Sequence, residues 1–211
     1  EAVVWKRLSH PNVIRFLGVT TTPLQIVSEW MPNGTLPTYV NANSSVDRIG
    51  LVREQSLRGL NYLHSCHTLH GDLKGPNILV DGHGHARVSD FGLASVAYGK
   101  YSSGLRSDKG RTVRWSAPEV LFGTVSASKQ ADVFAFGMVV VEVFTGNVPF
   151  YDIISTLVSY KTMNGERPSR PRKAEALGLS DALWKMTESC WEHEAKDRLG
   201  SSEVVDLLRE M

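Results

Sequence analysis

His70-Gly71-Asp72-Leu73-Lys74-Gly75-Pro76-Asn77, followed after twelve residues by Asp90-Phe91-Gly92, sets a carboxylate, an ammonium, an amide and a second carboxylate close together in this 211-residue chain. An Asp can orient and accept the proton of an attacking hydroxyl. An Asn oxygen and a second Asp are hard ligands that suit magnesium. The combination points to phosphoryl transfer, a chemistry in which positioning and charge neutralisation supply most of the catalysis. Taken singly each element is weak. A loop Asp beside a Lys is usually a solvated pair, Asn77 reads equally well as a turn cap, and Asp90-Phe91-Gly92 as an ordinary turn. The order and the spacing carry the argument.

Ala117-Pro118-Glu119 comes next in order, and with it the chain resembles the protein kinase family. By position, the resemblance implies that Asp72 is the catalytic carboxylate, that Lys74 neutralises the transferring phosphate, and that Asn77 and Asp90 are the ligands of Mg2+ on ATP. Ile26-Val27-Ser28-Glu29-Trp30-Met31 resembles the strand that ends at the adenine pocket. Backbone groups of Glu29 and Met31 would then hold the base, Ser28 would be a small gatekeeper, and Leu79 would lie under the ring. Trp5, Phe16, His70 and Phe91 match the family's stacked apolar spine, although aromatic and aliphatic residues are equally plain core residues. Thr112 matches the threonine that contacts the catalytic Asp in the family, Asp132 the Asp that ties the catalytic loop backbone, and Glu119 with Arg198 a buried pair, for which a surface salt bridge is the blander alternative.

The resemblance begins late in the family's plan. Counting back from Ser9-His10-Pro11-Asn12, Glu1 falls where the family carries the helix glutamate that pairs with a strand lysine near ATP. Neither that lysine nor the glycine-rich strand pair over the phosphates is among the 211 residues. The expectation is an N-terminally shortened catalytic domain, a fragment or a truncated gene, with an α+β two-lobed fold. Residues 1–31 would carry what there is of the small lobe and the hinge, and residues 32–211 a mostly helical large lobe. The 211 residues alone should then transfer phosphate poorly or not at all.

Cys190-Trp191 through Arg198, together with Arg114-Trp115, resembles the tyrosine-kinase-like branch of serine/threonine kinases, and Lys74 followed by Gly75-Pro76 implies serine or threonine acceptors on proteins. Two other readings stay open. A pseudokinase would keep the fold and act as a binding or scaffold module. Small-molecule kinases of the aminoglycoside and choline type share the His70, Asp72, Asn77 pattern but lack Ala117-Pro118-Glu119 and its Arg198 partner.

Two positions depart from the family's usual pattern. Gly71 stands where many members carry an Arg that pairs with a phosphorylated activation loop, and Arg111 where a Gly is usual. Hydroxyls at Ser102, Ser103, Ser107 and Thr112 can be phosphorylated, but the charge clamp that would make this a switch is weakened. Phosphatase treatment of an active, complete protein should therefore leave its rate within about threefold. A collapse of activity would contradict this.

Composition fits a globular domain and excludes several classes. With 42% hydrophobic residues the chain can bury a substantial core. Lys and Arg number 23 against 22 Asp and Glu, which argues against a nucleic-acid footprint or a polybasic membrane anchor. Cys66 and Cys190 are too few for a disulfide framework and read as two reduced core thiols, pointing to an intracellular, cytoplasmic protein. The longest apolar run, Val133 to Val141 with Phe144 beyond, is interrupted by Glu142, too short to span a bilayer, and reads as a buried helix.

Local patterns place the motifs. Glu1 to Ser9 should be the end of a helix stopped by His10-Pro11, and Val13–Thr21 and Leu24–Trp30 two antiparallel strands. Apolar residues at Ile49, Val52, Leu57, Leu60 and Leu63 predict a helix from Val46 to Ser65 that leads into the His70 loop. Ile78–Val80 and Ala86–Ser89 should form a hairpin that delivers Asp90, and the chain after Pro118 should be helical.

Overall fold

The structure, a computed structural model, describes residues 2–90, 112–172 and 174–211. Its first helical turn, α1 (Ala2–Trp5), ends four residues before the expected Ser9. The bonds from Arg7 N–H to Val4 O and from Leu8 N–H to Trp5 O tighten the chain there, and the Trp5 indole donates to Ile14 O at 2.8 Å. Trp5 also packs against Phe16, with ring centroids 6.0 Å apart.

Strands β1 (Phe16–Thr21) and β2 (Leu24–Ser28) form the expected antiparallel hairpin, with both strands shorter than their patterns predict. Val13 and Ile14 do not join it because they pair elsewhere. Val13 bridges Val88 in parallel, and Ile14 N–H donates to Val88 O at 2.9 Å. Beyond β2 the chain leaves the hairpin, so Trp30 stands 84% exposed while Met31 is buried. The hairpin also exposes Leu17, Val19, Leu24, Ile26 and Val27.

After the Pro32-Asn33-Gly34 turn comes α2 (Leu36–Ala42), capped by the Thr35 hydroxyl. The helix predicted from Val46 is one run with a distortion inside it. Asp47 caps α3 (Arg48–Gly50) through Gly50 N–H, and α4 (Leu57–Ser65) completes the run. Between them Leu51–Ser56 is π-helical, with Leu57 N–H reaching back to Val52 O. Such a bulge leaves no mark in an apolar spacing. Strands β3 (Ile78–Val80) and β4 (Ala86–Val88) make the second hairpin as expected.

Helices α5 (Pro118–Leu121), α6 (Lys129–Thr145), α7 (Ser155–Met163), α8 (Asp181–Cys190) and α9 (Ser201–Glu210) follow. Every residue of α6 from Ala131 to Phe144 is buried, which is what a helix that is apolar on all sides requires. Ser128 caps its start, and Gly146, at φ 71°, closes its end in the left-handed conformation that glycine adopts without strain. No helix among the described residues is long and apolar enough to cross a membrane. The pair of core thiols is half corrected: Cys190 is buried, and burial pushes its pKa up to about 12, but Cys66 is exposed on the turn after α4.

Candidate active site

Three elements deliver the site: the loop after α4, the β3–β4 hairpin and the N-terminus of α6. Asp132, one turn into α6, holds the loop by its backbone. Its Oδ2 accepts from His70 N–H and its Oδ1 from Gly71 N–H, both at 2.9 Å. Oδ2 also lies 2.9 Å from His64 Nε2, and His64 Nδ1 lies 2.9 Å from Ser201 Oγ at the start of α9. The loop is therefore tied to two helices through buried side chains, as expected for Asp132 and not foreseen for His64 or Ser201.

His70 is fully buried and turns inward. Its Nε2 lies 3.1 Å from Ser89 O and its Nδ1 accepts from Asp72 N–H at 3.3 Å, so the neutral ring with hydrogen on Nε2 satisfies both contacts. Burial lowers its pKa and outweighs the pull of Asp132, Asp72 and Asp90.

Around Asp72 the structure assembles three of the expected residues. Lys74 Nζ donates to Asp72 Oδ2 at 2.7 Å, and Asn77 Nδ2 donates to the Asp72 carbonyl at 2.9 Å and to Oδ2 at 3.3 Å. Oδ1 is buried and has no partner among the described residues. One carboxylate oxygen is thus fixed by two donors while the other is left to receive a hydrogen bond. Thr112 Oγ1 accepts from Lys74 Nζ at 3.4 Å, so the threonine expected to contact Asp72 meets the lysine beside it.

Asn77 and Asp90 are joined through Ser89, whose N–H and hydroxyl both donate to Asn77 O, at 2.8 and 2.9 Å. With its amide nitrogen spent on Asp72, Asn77 keeps its Oδ1 as a ligand atom. Asp90 is exposed and holds φ at 56°, an uncommon conformation for a non-glycine residue that clusters at functional sites. Phe91, Arg111 and the hydroxyls of Ser102, Ser103 and Ser107 lie outside the described residues, as does Glu1.

The adenine-side residues are placed by a short pairing. Asn33 N–H donates to Val80 O and Val80 N–H to Gly34 O, which lays the segment after Met31 along β3 and brings half-buried Leu79 opposite Thr35. Glu29 N–H is spent on Arg15 O, leaving its carbonyl as the backbone group that can meet a base. The Glu29 side chain lies 3.6 Å from Arg87, which also holds Asp81 Oδ2 at 2.9 Å. Burial would raise the Asp81 pKa, but the hydrogen bonds from His85, Arg87 and His83 win and hold it down at about 2.

Glu142 was legible only as a charge interrupting an apolar run. It is buried in α6, where its Oε2 accepts from Gly75 N–H at 2.8 Å and from the Trp115 indole at 2.7 Å. Burial pushes its pKa from 4.5 up to about 7, against the pull of those two donors and of Lys74. Between those values the folded protein binds more protons than the unfolded chain, so stability falls as pH rises through this window. At about 1.4 kcal/mol per unit the loss is about 3 kcal/mol. Urea unfolding of the wild type and Glu142→Gln at pH 5 and pH 8 should show that loss in the wild type alone; parallel pH dependence in both would contradict it.

Arg114 is a second residue that the sequence did not single out for this purpose. It donates to Pro149 O, Phe150 O and Ile153 O at 2.8, 2.5 and 2.7 Å, fastening the segment before Ala117-Pro118-Glu119 to the chain that enters α7.

Comparison with known proteins agrees with this geometry. The profile of the protein tyrosine and serine/threonine kinase family matches residues 1–208. The chain is 32% identical to serine/threonine-protein kinase STY46 of Arabidopsis thaliana over 218 residues, covering 100% of this chain and 36% of that protein. It is 33% identical to probable serine/threonine-protein kinase SIS8 of Arabidopsis thaliana, covering 100% of this chain and 20% of that protein. To serine/threonine-protein kinase CTR1 of the same plant it is 32% identical, covering 99% and 26%. The chain thus spans between a fifth and about a third of the length of these relatives.

Proposed function

Because this chain belongs to the protein tyrosine and serine/threonine kinase family, we propose that the protein carrying it transfers the γ-phosphate of ATP to serine and threonine hydroxyls of protein acceptors. The observation that supports this reading most is the arrangement around Asp72, with Oδ2 held by Lys74 and Asn77 and Oδ1 buried without a partner among the described residues. Oδ1 is the atom that would orient the acceptor hydroxyl and take its proton, and Lys74 the cation that would meet the transferring phosphate.

The residues present fit magnesium. Asn77 Oδ1 and the Asp90 carboxylate are oxygen donors, and Mg2+ in such sites takes one or two carboxylates together with the substrate's phosphates. Bound there, the ion would neutralise charge on the phosphates. Leu79, the Glu29 carbonyl and Met31 N–H are the proposed adenine contacts, and Glu1 the proposed partner of a lysine. Residues 1–31 are proposed as small lobe and hinge, and residues 32–211 as the large lobe. The apolar side chains exposed on the β1–β2 hairpin support that division, since a lone hairpin is marginal and further strands would cover them.

Isothermal titration of ATP into the complete protein should show binding that strengthens with Mg2+, and Asp90→Ala should abolish the strengthening. Nucleotide binding indifferent to Mg2+ would favour a scaffold function instead. Ser28, half-buried at the end of β2, is the proposed gatekeeper, whose small side chain would leave room behind the base. A bulky ATP-competitive ligand should bind the wild type about tenfold or more tightly than Ser28→Phe; equal affinity would remove Ser28 from the pocket.

A further inference from the structure

The turn between β3 and β4, Asp81-Gly82-His83-Gly84-His85, carries two imidazoles that the proposed phosphoryl transfer leaves unused. Asp81 builds the turn. Its Oδ1 accepts from His83 N–H at 2.9 Å and from His85 N–H at 3.0 Å, its own N–H donates to His85 O at 3.0 Å, and Asn33 Nδ2 donates to its carbonyl at 2.6 Å. Gly84, at φ 83°, brings the turn so close to α2 that a Cβ there would fall 2.7 Å from the Tyr39 hydroxyl oxygen. The backbone beneath both rings is held in place.

His83 and His85 are exposed, and their ring centroids stand 6.1 Å apart at an interplanar angle of 37°. With nitrogen–metal bonds of about 2 Å, two imidazoles on one ion have centroids roughly 5–6 Å apart. A small rotation of either exposed ring brings the pair into that range. Asp81 Oδ2 lies 3.5 Å from His85 Nδ1, which favours hydrogen on Nδ1 and leaves the Nε2 lone pair for an ion. Asp81 stays charged, its pKa being held at about 2. Arg87 shares Oδ2 at 2.9 Å, but Asp81 and Glu29, the latter 3.6 Å away, together outweigh its charge.

We propose that His83 and His85 hold one divalent transition-metal ion of the Zn2+, Ni2+ or Cu2+ class, with Asp81 as the carboxylate that orients His85. Imidazole nitrogen suits these ions, whereas the oxygen donors proposed for Mg2+, Asn77 and Asp90, suit a hard cation. The two sites therefore differ in kind. No set of three or more His, Cys, Asp or Glu side chains able to hold an ion stands among the described residues, so water completes the shell and the affinity is modest. The inference is independent of the kinase reading.

The test is calorimetric titration of the chelator-stripped complete protein with Zn2+, in a Cys66→Ser background so that the exposed thiol takes no metal. Against that parent, His83→Gln and His85→Gln should each lose one ion per chain or bind it about tenfold or more weakly. Asp81→Asn keeps an oxygen for the two turn N–H groups but removes the charge behind His85, and affinity should fall about tenfold. About a hundredfold excess of Mg2+ should leave Zn2+ affinity within about threefold. Should Asp81→Asn fail to fold, the two histidine variants, both at exposed positions, carry the test. A parent that binds no Zn2+, a histidine variant that binds as the parent does, unchanged affinity in a folded Asp81→Asn, or displacement by Mg2+ overturns the inference.

Discussion

Asp72→Asn should lower turnover of the complete protein by about a hundredfold or more, with its unfolding midpoint little changed. The amide has nearly the shape of the carboxylate but cannot take the acceptor's proton, and it weakens the hold of Lys74 Nζ, which now sits 2.7 Å from Oδ2. Asp72 is well chosen for such a test because its surroundings separate chemistry from folding. Its side chain is 17% exposed and the loop backbone is held independently by Asp132. Steady-state kinetics with saturating ATP would read the effect, and an unchanged rate would remove Asp72 from the chemistry.

Arg198→Met should destabilise the protein by about 3–5 kcal/mol, a large part of the stability of an ordinary domain. The guanidinium is fully buried and grips Glu119 with two bonds, to Oε1 at 2.6 Å and Oε2 at 2.7 Å. It also donates to Glu192 O, His193 O and Gln130 O and lies 5.1 Å from the centre of the Phe134 ring. Arg167 lies 5.0 Å from the same ring, and burial together with Arg198 pushes its pKa down to about 10. Removing Arg198 leaves Glu119, only 18% exposed, without its counter-charge, and the Glu192 and His193 carbonyls without this donor. Urea unfolding reads the difference directly. A loss below about 1 kcal/mol would place the pair with ordinary surface salt bridges.

The parts of the molecule legible in the sequence were those whose function or packing is local in the chain. His70 to Asn77, the hairpin before Asp90 and the apolar helix around Phe134 each announce themselves within a short window, and the structure has them where they were expected. What was not legible depends on contacts across long separations. Glu142 reads as a flaw in an apolar run until Gly75, 67 residues earlier, and Trp115, 27 residues earlier, are seen donating to it. A lone charge inside a buried helix was the available signal, because such a charge survives only where it is partnered. His64 and Ser201, 137 residues apart, are another case. Strand ends erred for a related reason: Val13 and Ile14 have the composition of β1 but pair with Val88. Cys66 was misplaced because the apolar spacing of α4 ends just before it, and the chain turns outward there.

The central claim, transfer of phosphate from ATP to serine and threonine on proteins, is tested most directly by one measurement. The complete protein is incubated with γ-labelled ATP, Mg2+ and a mixed protein acceptor, and the labelled amino acids are identified after acid hydrolysis, with Asp72→Asn run in parallel. Label on serine and threonine, absent with the variant, is the predicted result. Label confined to tyrosine, or no label above the variant's background, would contradict it.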